Sequence, residues 1–214
     1  MKLLGASSSL ATFRWDLLYL LSQLSTDERP GIATVATPVQ TAMNDLEARR
    51  IAYEQAQASV IMASAMVAKR DKVRDRLILE LGGIARATGR DTYSRLFPKF
   101  NPSQTAKLGV DAESAEVTRI LGEMKLLDAG HPLRNGYESS LTNAQADLLL
   151  AKTQANEADV ALTLERSQVQ RCKLDLDKLR VETHGKLLAL LADKNEADAF
   201  FRPTSPASEE VANS

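Results

Sequence analysis

The chain has 214 residues, 44% hydrophobic, 26% charged and only 5% aromatic. Its 27 basic and 28 acidic residues nearly cancel, which excludes a bulk polycation or polyanion, and its single cysteine, Cys172, excludes an internal disulfide framework. Ten glycines and seven prolines are too few for an all-β sandwich with many tight turns, so an all-α chain with a core of useful size is expected.

The N-terminal apolar residues Met1, Leu3 and Leu4 are followed by Ser7, Ser8 and Ser9, then broken by Arg14 and Asp16, with no convincing cleavage signal. No segment has the run of about eighteen apolar residues that a membrane span needs. A mature, cytoplasmic chain is the expectation.

The first predicted element covers residues 10–24, where Leu17, Leu18, Leu21 and Leu24 follow helical spacing and Phe13 and Trp15 flank them. Ser25, Thr26, Asp27, Glu28, Pro30 and Gly31 then predict a loop, and Thr37-Pro38 a cap with proline in the first helical position. From Val39 to Thr88 good helix formers dominate. Val39, Leu46, Tyr53, Val60, Val67 and Leu81 recur in a seven-residue register in which Arg74 is the polar exception. A second seam holds Ala42, Ala56, Ala63, Leu77 and Ile84, interrupted by Arg49 and Arg70. So long a heptad predicts a coiled-coil-like rod, roughly 75 Å for fifty residues at about 1.5 Å each.

Gly89 ends this rod, and Tyr93, Leu96, Phe97, Pro98 and Pro102 follow. A short helix is predicted at 112–128, with Val117, Ile120, Leu121, Met124 and Leu127 on its apolar face. Pro132 and Asn135-Gly136 then read as a loop, with Ser139 or Ser140 as the next cap. A second long helix is predicted from Leu141 to Ala192. Leu141, Leu148, Ala155, Leu162, Val169, Leu176 and Leu190 hold one seam, with Thr183 the exception. Ala144, Ala151, Ala158, Cys172 and Leu179 hold the other, broken by Glu165 and Lys186. Phe200, Phe201, Pro203 and Pro206 end it much as the first rod ends. The small, polar tail 203–214 predicts disorder.

The two halves read as one unit written twice. Val39, Leu46 and Val60 map onto Leu141, Leu148 and Leu162 at a shift of 102 residues, and Leu17 and Leu24 map onto Ile120 and Leu127 at 103. The expected organisation is a tandemly duplicated, elongated helical bundle of two long and two short helices: a first repeat over 1–104, a second over 105–202 and the tail. The linker 89–138 is long enough for the rods to run either parallel or antiparallel. Ile51, Ile61, Met62, Met66, Leu149, Leu150, Leu174 and Leu187 lie outside the seams and widen each stripe beyond what a two-helix coil buries, so a third or fourth helix must cover it, either a short one from this chain or, for much of it, one from another copy.

No catalytic, cofactor or metal constellation emerges. His131 and His184 lack the glutamate three residues away that a carboxylate-bridged di-metal bundle uses, and both read as surface residues. Cys172 reads as a small apolar seam residue. The stretch 81–89 (LGGIARATG) lacks the ending of a phosphate loop and reads as close helix packing or a terminator. Glu47, Asp159, Asp175 and Asp177 read as exposed helix support. Lys69, Arg70, Lys72, Arg74, Arg76, Arg86, Arg90, Arg95 and Lys99 form a basic region offset by Asp71, Asp75, Glu80 and Asp91. With no aromatic ladder beside it, a nucleic-acid or acidic-surface role is the weaker reading.

The functional expectation is a non-enzymatic structural protein, free of cofactors, whose rods self-associate into an oligomer or filament. Tyr93, Leu96, Phe97, Phe200 and Phe201 are its candidate contact residues. The alternative is a small helical adaptor for another protein.

Overall fold

A computed structural model describes residues 1 and 3–203, and these contain helices and no strand. In chain order the helices are α1 (Leu10–Thr26), α2 (Ile32–Thr88), α3 (Arg90–Leu96), α4 (Pro102–Thr105), α5 (Val110–Lys125), α6 (Pro132–Leu191) and α7 (Lys194–Ala199). The all-α architecture of two long helices and shorter ones is as the heptads indicate, with α3, α4 and α7 added. Both long helices begin earlier than expected. α2 starts before Pro38, which lies inside it, and α6 opens on Pro132 and runs through Asn135, Gly136, Ser139 and Ser140. Proline costs nothing at a first helical position, which is where Pro132 stands. The Asn-Gly turn signal yields because its neighbours Leu133 and Leu141 are buried on one helix face. The tail beyond Pro203 lies outside the described residues.

Contacts divide the chain into two compact units, Met1–Gln57 with Ala161–Ser214, and Ala58–Val160. These units do not follow the expected boundaries at 104 and 202, because α2 and α6 each give one part to either unit. In unit 1 the two long helices are antiparallel. Gly31, at the head of α2, meets Leu190 near the end of α6, and Arg49 bonds back to Glu165. The same sense holds in unit 2, where Arg70 pairs with Asp147 and Arg74 with Gln145. The parallel alternative is thereby removed.

Unit 1 buries Phe13, Leu17, Leu20 and Leu24 of α1 against Ile32, Val35, Val39, Met43 and Leu46 of α2, with Leu176 and Leu187 of α6 and Phe200 and Phe201 at the end of α7. The α1 stripe is rotated from the expected one. The buried set is 13, 17, 20 and 24, and Leu18 and Leu21 pack only at its edge. Near the end of α6 burial also leaves the heptad, because Leu187 is enclosed while Leu190 is exposed. Gly31 carries a φ of +90°, a left-handed conformation that a side chain rarely adopts, with Leu190 directly against it.

Unit 2 buries Ile78, Leu81 and Ala85 of α2, Leu96 and Phe97 at the end of α3, Val117, Ile120 and Met124 of α5, and Leu133 and Leu141 of α6. Asn101 and Gln104 form a capping box that starts α4, whose Pro102 packs on Gly82 so closely that a Cβ there would lie 2.1 Å from the ring. The close-packing reading of the Gly82 stretch therefore holds at that glycine. A short helix covers part of the long pair in each unit, α1 in one and α5 in the other, yet of the residues that widen the stripes only Leu187 is buried; Ile51, Ile61, Met62, Met66, Leu149, Leu150 and Leu174 stay exposed.

Candidate functional site

The end residues do not form an outer contact surface. Leu96, Phe97, Phe200 and Phe201 are all buried within their own units. Tyr93 is half-buried, stacked on Phe97 at 5.5 Å and bonded through its hydroxyl to Arg86. This corrects the assignment of Leu96, Phe97, Phe200 and Phe201 as assembly contacts. Helices α3 and α7 fold the aromatic ends back onto the core, where burial of a phenyl ring stabilises the chain itself.

The basic region also divides. Arg74 is completely buried, Arg70 is paired with Asp147 at 2.9 Å, and Arg76 faces Glu80 at 3.6 Å. Lys69, Lys72, Arg86 and Arg90 are exposed. A guanidinium enclosed in protein offers nothing to a phosphate backbone, so Arg74 leaves the candidate patch.

Two buried ion networks take its place. In unit 1, Arg180 of α6 donates from Nε to Asp16 of α1 at 2.6 Å and from Nη1 to Asp177 at 3.0 Å. Asp177 also accepts the backbone N–H groups of Leu4 and Gly5 at 3.1 and 2.7 Å, tying the N-terminal segment down. It is therefore a buried structural acceptor and not the exposed carboxylate expected. Burial pushes the Asp16 carboxyl upward, opposed by Arg180.

In unit 2, Arg74 of α2 donates from Nε to Glu113 of α5 at 3.0 Å and from Nη1 to Ser114 at 2.8 Å and Gln145 at 3.0 Å. Its Nη2 reaches Asp71 and the second Glu113 oxygen, both at 2.9 Å. Carboxylate oxygens of Asp71, Asp75 and Glu113 lie within 4.8 Å of one another. Burial pushes Glu113 up to about 7 against the pull of Arg74, and raises Asp75 as well. Such a trio could in principle hold a divalent cation, but the guanidinium already neutralises Asp71 and Glu113 from inside the cluster.

Two of the remaining polar seam residues, Arg49 and Glu165, pair across the long helices in unit 1. Arg49 Nη1 bonds Glu165 at 3.0 Å and also Gln168. Both histidines are half-buried and bonded: His184 Nε2 meets Asp198 at 2.7 Å, and His131 Nδ1 accepts the N–H of Leu133 at the head of α6. The surface reading of these two is corrected. Cys172 lies half-buried in a groove of about 970 Å³ between α2 and α6, beside Ala42, Arg49, Asp175, Leu176 and Leu179. Burial pushes its thiol up, which disfavours the thiolate that a nucleophile requires.

The exposed apolar residues are concentrated on the long helices. Ile61 and Met62 of α2 are 70% and 65% exposed, and Met66, Leu149, Leu150 and Val160 of unit 2 are exposed as well. Around the first three, α2 carries no charged residue from Gln55 to Ala68. Sequence reasoning had placed these side chains outside the seams; what it missed was that the covering helix α5 leaves them bare. No helix among the described residues is long and apolar enough to cross a membrane. No family model matches the chain, and no curated protein or solved structure matches it either.

Proposed function

We propose that the protein is a non-enzymatic, cytoplasmic structural protein that associates with further copies of itself through the faces of its long helices, and that its two halves arose by duplication. The observation that carries this reading is the charge-free run of α2 with Ile61, Met62 and Met66 uncovered. An exposed helix in water ordinarily carries charged residues every turn or two, and fourteen consecutive residues without one leave an apolar face that self-association would bury. Ala58, Ala65 and Ala68 beside it allow a second helix to approach closely. The likeness of plan between the units supports the duplication: each has antiparallel long helices, one covering helix and an aromatic end folded inward.

A small adaptor is the second reading, favoured by the groove around Cys172, whose charged lining of Asp45, Arg49, Arg171, Asp175, Lys178 and Glu182 suits a polar-edged helix of another protein.

Light scattering on a size-exclusion column, with electron microscopy across a concentration series, tests the first reading. Mass rising above the 23.4 kDa of one chain is expected, together with its loss in Ile61→Lys/Met62→Lys at unchanged helicity. A wild-type chain that stays at the mass of one copy at every concentration would sink self-association and turn attention to the groove.

A further inference from the structure

The valences of the unit 2 network do not close with all its carboxyls ionised. A guanidinium has five N–H donors, and in Arg74 each has a destination: Nε on Glu113, Nη1 on Ser114 and Gln145, and Nη2 on Asp71 and Glu113. None remains for Asp75. Its Oδ1 is screened from solvent and has no hydrogen-bond partner. The groups that face it are Asp71 and Arg74 on its own helix and Glu113 on α5, itself only 1% exposed; Gln145 of α6 has its oxygen committed to Arg74. Further out, Asp111 of α5 is engaged by Lys152 of α6. Two ionised carboxylates are both acceptors and repel, whereas a carboxyl and a carboxylate form a short, charge-assisted hydrogen bond. Unit 1 has no such deficit, because its second carboxylate, Asp177, is satisfied by backbone N–H groups and Arg180.

We propose that the folded unit holds one proton between Asp75 and Glu113, bonding α2 to α5, and that release of this proton on alkalinisation loosens α5: the cluster is a proton-binding site that makes unit 2 pH-sensitive. The inference stands apart from self-association. The direction follows from linkage. Burial raises the carboxyl above its ordinary range in the folded chain, so the stability contributed by the proton is fully present below the unfolded value of 4.5. It is lost as pH rises through about 7.

Thermal melting of the full chain from pH 5 to pH 8.5, compared between wild type and Asp75→Asn, reads this out. The asparagine amide donates permanently where the proton did. The variant is therefore expected to gain on wild type by a few degrees as pH rises, and to lose that advantage at pH 5. A melting difference independent of pH would overturn the proposal. Carboxyl-carbon NMR of the wild type needs no variant to fold: one aspartate–glutamate pair titrating above pH 6 is expected, and its absence would equally overturn it. Magnesium or calcium chloride at pH 8 is the remaining arm. Melting raised by the cation in wild type but not in Asp75→Asn would assign the cluster to a metal and overturn the proton; no effect of either salt is expected.

Discussion

Arg180 and Arg74 are buried cations whose removal strands the carboxylates they hold. Arg180→Ala is expected to cost about 3–5 kcal/mol in urea unfolding, because Asp16 is left as an uncompensated charge in the core. Arg180→Met combined with Asp16→Leu should recover most of that loss. By contrast Arg29→Ala, at a solvent-screened pair with Asp27, should hardly move the urea midpoint. Gly82→Ala should destabilise by roughly 1–3 kcal/mol, since its Cβ would overlap the Pro102 ring, whereas Gly83→Ala meets nothing and should gain up to about 1 kcal/mol of helix propensity. Arg74 was visible in the sequence as the polar interruption of a seam. Its partner Glu113 was not, because a heptad specifies which face of a helix turns inward and says nothing of which other element arrives there.

At the scale of the element, α1 illustrates what periodicity leaves undecided. Leu17, Leu18, Leu21 and Leu24 make a plausible face, but so do Phe13, Leu17, Leu20 and Leu24, about a sixth of a turn round. The second wins because it encloses the larger ring and aims Asp16 at Arg180. Phe13→Ala is therefore expected to cost about 3–5 kcal/mol, while the exposed Trp15→Ala should stay within about 0.5 kcal/mol. Thermal melts of the two variants side by side check this. Pro38 makes the opposite case. Lying inside α2, it withholds the N–H that a helix interior supplies, so Pro38→Ala should stabilise the chain by about 1–3 kcal/mol. Had the helix begun at Pro38, as the Thr-Pro signal suggests, the same change would give no gain. The segment Ile32–Ala36 is recruited into the helix because Ile32 and Val35 bury against α1, and that packing outweighs the lost bond.

For the whole molecule, the prediction concerns solubility and assembly rather than folding. Substituting lysine at Ile61 and Met62 touches side chains that no core includes, so the melting temperature should hardly move while self-association falls. Substituting Phe97 or Phe200 should do the reverse, lowering stability by about 3–5 kcal/mol without acting on assembly directly. The two pairs separate a surface role from a core role by a single measurement of melting temperature against mass.

By itself the sequence determined that the chain is helical and much of the inward seam of the long helices, though Ile84 and Leu190 of that seam are exposed and Leu187 outside it is enclosed. Heptad spacing and helix propensity are local properties, written within a few turns. It also flagged Ile61, Met62 and Met66 as apolar residues outside the seams, and the glycines of 81–89 as close packing or a terminator, of which Gly82 proves the packed one. The tertiary structure alone decided that the long helices run antiparallel within each unit, that each packing unit draws one part from both long helices, that the aromatic ends fold inward, and that Arg74, Asp75 and Glu113 meet. These depend on contacts between residues tens to more than a hundred positions apart, whose partners are chosen by the geometry of covering helices rather than by any pattern along the chain.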